Sequence, residues 1–179
     1  MWALIKKLIQ TGIKTENNLI QENDAIKTIG QALEKTIAKR FRRALAIRLV
    51  DAGSCNACEL EINAINNPFY NLQRYGIHFV ASPRHADLLL VTGPITKNMR
   101  DALIKTYEAM PDPKRVVAIG DCAHCGGIFK ESYATEKNGI AGIVPVDVIV
   151  PGCPPTPLQI MEGIFRVISQ PPQGKLTND

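Results

Sequence analysis

Five short apolar runs punctuate the chain: AIRLV (46–50), IHFVA (77–81), DLLLVT (87–92), RVVAIG (115–120) and VDVIV (146–150). They are rich in β-branched residues and leucine, and nearly continuous rather than alternating. A strand that is apolar on both faces must be covered on both, which is the condition of a parallel sheet. Helix-like segments separate the runs: ELEINAI (59–65), stopped by Asn66-Asn67-Pro68; a stretch from about Thr96 to Ala109, ending before Pro111; and PLQIMEGIFRVI (157–168). This alternation predicts an α/β fold of flavodoxin-like type, a parallel sheet with helices on both faces.

The first 44 residues have a different texture. Leu4, Ile5, Leu8, Ile9 and Ile13 share one face of a helical wheel, with Lys6, Lys7, Gln10 and Lys14 mostly opposite. That is a basic amphipathic helix, fit to pack on its own domain or a partner, or to lie on a membrane with Trp2 at the interface. A second helix is predicted from about Asp24 to Arg43, with Ile26, Ile29, Leu33 and Ile37 as its stripe and Asn23 or Asp24 as its cap. Residues 1–45 hold nine Lys/Arg against four Asp/Glu, so the net charge of +4 arises entirely in this segment. The expected organisation is a basic helical extension over 1–44, an α/β domain over 45–169 and a loosely ordered tail over 170–179. Basic residues are not interleaved with aromatics on the folded part, which sets nucleic acid aside. No apolar run approaches the roughly 18 residues of a membrane span. The N-terminus lacks the pattern of a signal peptide, so the expected place is the cytoplasm or the cytoplasmic face of a membrane.

Five cysteines remain to be placed. Cys55 and Cys58 follow the run ending near Val50, Cys122 and Cys125 the run ending at Gly120, and Cys153 the run ending at Val150. In a parallel sheet these strand ends share one edge, where such folds bind ligands. Thiols more than sixty residues apart are therefore expected to converge. In a reducing compartment, metal binding or catalysis explains them better than disulfides. CNAC and CAHC are not followed by His, which excludes covalent haem. The residues alone leave three readings: a four-thiolate iron–sulfur cluster, a zinc site, or inert or redox thiols. Proline directly after Cys153, and glycines at 53, 120, 126, 127 and 152 that let backbone approach a bulky group, lean toward the cluster.

CNACELEI, SPRHADLLLVTGPIT, PDPKRVVAIGDCAHCGGIF and VPVDVIVPGCPPTP resemble the small subunit of [NiFe]-hydrogenases. The closer likeness is to the membrane-associated, energy-converting group, of hydrogenase-4 or formate hydrogenlyase type. The same blocks are similar to the cluster subunit of complex I. The resemblance spans about Leu45 to Ile168. It implies one [4Fe–4S] cluster on Cys55, Cys58, Cys122 and Cys153. It also implies a large subunit with the nickel–iron centre, a ferredoxin-like iron–sulfur subunit as onward acceptor, and membrane subunits where the N-terminal helices dock. The CxxC spacing of Cys55 and Cys58 is like the hydrogenase branch, since the quinone-reducing branch typically has adjacent cysteines. A complex-I-like relay without nickel is the alternative. Catalytic residues are not expected in this chain, and GDCAHCGG lacks the Lys-Ser/Thr of a nucleotide loop.

Cys125 departs from the family and is expected to be a non-ligating thiol beside the cluster. Glu61 matches an acidic position of both branches, fit for proton relay or for orienting the partner, or simply bonded to backbone. Arg84 is a candidate source of positive charge and His85 a candidate titrating group, with plain surface roles as the rival reading. His124 is either a donor near the cluster or a solvent-facing side chain.

Overall fold

The structure, a computed structural model, describes residues 2–12 and 23–171, with the Leu8 side chain left out. Five strands form one parallel sheet: β1 (Leu45–Asp51), β2 (Ile77–Phe79), β3 (Leu88–Thr92), β4 (Arg115–Ile119) and β5 (Val148–Val150). Their order, β2-β1-β3-β4-β5, is the flavodoxin-like one. The helices are α1 (Trp2–Thr11), α2 (Asp24–Arg40), α3 (Ala57–Ala64), α4 (Lys97–Ala109), α5 (Gly120–Cys125) and α6 (Pro157–Ser169).

Alternation along each strand splits the core into two layers. Leu45, Ile47, Leu88, Leu90, Val117 and Ile119 join one cluster, with α2, α3 and α6. Leu89, Val91, Val116 and Ala118 join the other, with Ile95, Leu103 of α4 and Ile140. All five residues of β3 and of β4 are buried. The continuous apolar runs are thus the signature of a sheet covered on both sides.

Helix α2 begins at Asn23, whose side chain accepts the Ala25 N–H at 3.0 Å. It ends at Arg40 rather than Arg43, because Arg42 takes φ +56° and turns the chain into β1. Its Ile26, Leu33 and Ile37 belong to the same core as the strands. Helix α1 behaves otherwise. Trp2, Leu4, Ile5 and Ile9 are all exposed, so its apolar face is not packed on this domain. Ile13 of the expected stripe and Lys14 of the opposite face lie outside the described residues. Helix α6 starts with a reciprocal capping box between Thr156 and Gln159. Its end is clamped: Arg40 donates to the Ser169 and Gln170 carbonyls at 2.5 and 2.6 Å. The tail beyond 171 is outside the described residues.

Register sets the site. Asp51 lies opposite Thr92, Val91 opposite Ala118, and Ile119 opposite Val150. Four strands therefore end level, and the chain leaves them together.

Candidate metal centre

Each level strand end feeds a short, tied-down turn. After β1, the Asp51 carboxylate accepts the Gly53 and Ser54 N–H groups at 2.8 and 2.7 Å. The Ser54 hydroxyl accepts the Asn56 N–H at 3.0 Å, and Asn56, at φ +71°, starts α3. Cys55 thus lies on the turn and Cys58 in the first turn of α3. After β4, Gly120 at φ +84° turns the strand directly into α5, which carries Cys122 and Cys125. The sequence gives no sign of this helix, because the five residues between Gly120 and Gly126 are too few to show a helical period. After β5, Gly152 at φ +135° leads to Cys153, and the Cys153–Pro154 peptide is cis.

These turns are stitched to each other. The Asp121 N–H donates to the Gly152 carbonyl at 2.9 Å, and the Gly152 N–H donates to the Asp121 carboxylate at 3.0 Å. The Cys122 and Cys153 segments are thereby one unit. The Thr96 N–H donates to the Ala52 carbonyl at 2.8 Å, which ties the turn after β3 to the Cys55 turn.

Cys55, Cys58, Cys122 and Cys153 line one pocket, together with Ser54, Ala57, Gly93, Gly152 and Pro154. Cys58 and Cys122 are buried, whereas Cys55 and Cys153 are exposed. Glycine makes the approach possible. A Cβ on Gly120 would stand 2.8 Å from the Cys58 Sγ, and one on Gly127 would stand 2.9 Å from the Cys122 Sγ. Among the described residues, no group of three or more His, Cys, Asp or Glu could hold one metal ion. The four thiols therefore share a pocket without meeting at a point.

The charge balance of that pocket is one-sided. Burial, then Glu59, Cys122, Cys55 and Cys153, push the Cys58 thiol up to about 12. Burial, then Cys153 and Cys55, raise Cys122, while the Ile128 backbone N–H favours its thiolate. No cation of the chain is among the causes. Four thiolates here require a positively charged occupant, whose binding must release protons. The sign for the metal-free chain follows. The folded Cys58 holds its proton from about pH 9 to 12 while the unfolded one loses it, so stability falls with rising pH across that window. We expect the wild type to lose stability relative to Cys58→Ala between about pH 9 and 11. Urea unfolding of both proteins, metal-free and reduced, checks this, and parallel pH profiles would refute it.

The remaining sequence candidates are not brought to the pocket. The Cys125 thiol is exposed and donates to the Asp121 carbonyl at 3.4 Å. His124 is exposed on α5, and Arg84 and His85 are exposed on the turn that precedes β3. Glu61 is half-buried on α3 and does not line the pocket. Two acids escaped the sequence reading. Asp121 is the stitch between two cysteine segments. Glu59 is 7% exposed, and neither of its carboxylate oxygens has a hydrogen-bond partner. An acid next to a cysteine on a helix gives no periodic signal of burial, so only the packing of α3 reveals it.

The fold and site together define an α/β protein whose doubly wound parallel sheet gathers four thiols in one pocket at its strand-end edge. Residues 55–167 match the family described as NADH ubiquinone oxidoreductase, 20 Kd subunit, and the chain belongs to this family of oxidoreductase subunits. It is 42% identical over 137 residues to formate hydrogenlyase subunit 7 of Escherichia coli, covering 76% of this chain and 53% of that protein. The chain thus spans about half the length of that relative. It is 47% identical over 141 residues to the probable membrane-bound hydrogenase subunit mbhJ of Pyrococcus furiosus, covering 77% and 84%. A subunit of the membrane-bound sulfane sulfur reductase, an archaeal respiratory membrane complex, matches with a TM-score of 0.64 at 34% identity, covering 76% and 74%. The resemblance carried by the cysteine blocks is borne out.

Proposed function

We propose that this chain is the electron-relay small subunit of a membrane-associated [NiFe]-hydrogenase, with Cys55, Cys58, Cys122 and Cys153 as the ligands of one [4Fe–4S] cluster. The convergence of three strand-end segments on one thiol-lined pocket is the observation that supports it most. When bound there, such a cluster supplies one-electron transfer. The chain's own residues do the rest. The four thiols give up protons and bind. Gly120 and Gly127 keep backbone close to the sulfurs, and the Ile128 N–H stabilises the Cys122 thiolate. A large subunit would carry the nickel–iron centre, and a ferredoxin-like subunit would take the electron onward. The exposed apolar face of α1, flanked by Lys6 and Lys7, suits docking on membrane subunits at the cytoplasmic face. Among the described residues, no helix is long and apolar enough to cross a membrane.

The likeness to a sulfane sulfur reductase favours a second reading, a nickel-free complex-I-like relay with the same cluster. Metal analysis of the native complex, purified anaerobically through a tag on this chain, separates the two. We expect nickel, and iron above about four per chain. Iron without nickel selects the second reading. Zinc alone overturns both, together with the ligand assignment.

A further inference from the structure

Helix α3 carries its polarity the wrong way round at one point. Glu59 is 7% exposed, whereas Leu60, the next residue, is 60% exposed. Hydrophobic packing alone would seat the leucine inside and the acid in water. Both Glu59 carboxylate oxygens are buried, and neither has a hydrogen-bond partner. Among the described residues no ion pair engages Glu59 either. A buried carboxylate in this state costs free energy that a partner would normally recover. The rest of the helix offsets that cost, because Ile62 and Ile65 of α3 sit in one core with Ile160, Met161 and Ile164 of α6. Glu59 also stands in the first turn of α3, the end of a helix dipole that favours negative charge.

Place and neighbours say what this charge acts on. Glu59 directly follows Cys58, which is buried and lines the thiol pocket. Two buried residues joined by one peptide bond have little water between them, so a charge on one is weakly screened at the other. After burial, Glu59 does most to push the Cys58 thiol up to about 12. No cation of the chain opposes it there, since every other charged group that acts on Cys58 is a thiol. The same field acts on any charge that enters the pocket.

We infer that Glu59 is a fixed negative charge that lowers the reduction potential of the centre held by the four thiols. This rests on the cluster reading above. The step it acts on is a one-electron reduction, which adds one unit of negative charge to the pocket. Glu59 neither gains nor loses a proton in that step, and no bond is made. A neighbouring negative charge opposes the gain, so less of the reduced form is present at a given potential, and that form is the stronger reductant. The unpartnered state of the carboxylate follows from this role, because a cation bound to it would cancel the field.

The test is a redox titration of the native complex, purified anaerobically through a tag on this chain and followed by electron paramagnetic resonance. The signal absent from Cys122→Ser identifies this centre. Glu59→Gln keeps the shape of the side chain and removes its charge. It is expected to raise the ratio of reduced to oxidised centre on the order of tenfold at a given potential, an upward shift of about 59 mV. Glu59→Asp keeps the charge, and Glu162→Gln removes one from an exposed position on α6. Both are expected to change the ratio less than about twofold. An unshifted potential in Glu59→Gln, with iron at the wild-type level, overturns the inference. So does an equal shift in Glu59→Asp, which would trace it to packing, or in Glu162→Gln, which would trace it to net charge. Loss of iron from Glu59→Gln also overturns it, because the residue then builds the site instead of tuning it. Absence of iron from the wild-type chain is a separate result: it sinks the cluster reading, and the inference with it.

Discussion

Cys122→Ser is expected to strip the chain of its iron, while Cys125→Ser leaves the iron at the wild-type level. The two thiols are three residues apart on one short helix, and they differ in every physical respect. Cys122 is buried and lines the pocket with Cys55, Cys58 and Cys153. Cys125 is exposed, absent from the pocket lining, and turned back on the Asp121 carbonyl. A serine hydroxyl is a far poorer ligand than a thiolate, so one lost ligand should take iron from about four to below about one per chain. The measurement is iron per chain, with the cluster's spectrum, on complexes prepared anaerobically in parallel. The reverse outcome, with iron lost from Cys125→Ser and kept by Cys122→Ser, would mean that α5 rotates to present its other thiol, and the ligand set would change with it.

Much of this arrangement was legible before any coordinates. The apolar runs gave the parallel sheet because only a strand covered on both faces can be apolar throughout, and β3 and β4 are buried at every position. The convergence of the cysteines was legible too, since it follows from topology alone. What escaped were features that depend on contact. Helix α5 is too short for periodicity. Asp121 looks like any surface acid until its carboxylate is seen to hold the Gly152 N–H. Arg84 and His85 drew notice for their chemistry, yet they precede β3 and do not line the pocket. Helix α1 shows the opposite case. Its amphipathic pattern was plain, but a pattern cannot say what covers the apolar face, and this domain does not.

Gly120→Ala is expected to disable the site without removing a ligand. Two costs meet at this residue. Gly120 holds φ +84° at the exit of β4, a conformation that costs an L-residue roughly 1–2 kcal/mol. A Cβ there would also stand 2.8 Å from the Cys58 Sγ and 3.2 Å from the Gly152 carbonyl oxygen. Neither neighbour is free to give way. Cys58 is fixed by α3, and the Gly152 carbonyl already accepts the Asp121 N–H. The methyl group therefore pushes apart the segments of Cys58, Cys122 and Cys153. We expect a stability loss of about 2–4 kcal/mol and iron per chain below about half of wild type. Gly142→Ala is the control, because its Cβ would meet nothing nearer than Asn138 at 3.6 Å and its φ is ordinary. Urea unfolding and iron content, measured on both variants, separate strain from ligation. If Gly120→Ala kept full iron with an unchanged unfolding midpoint, the close approach of β4 to the Cys58 sulfur would not be what builds this pocket.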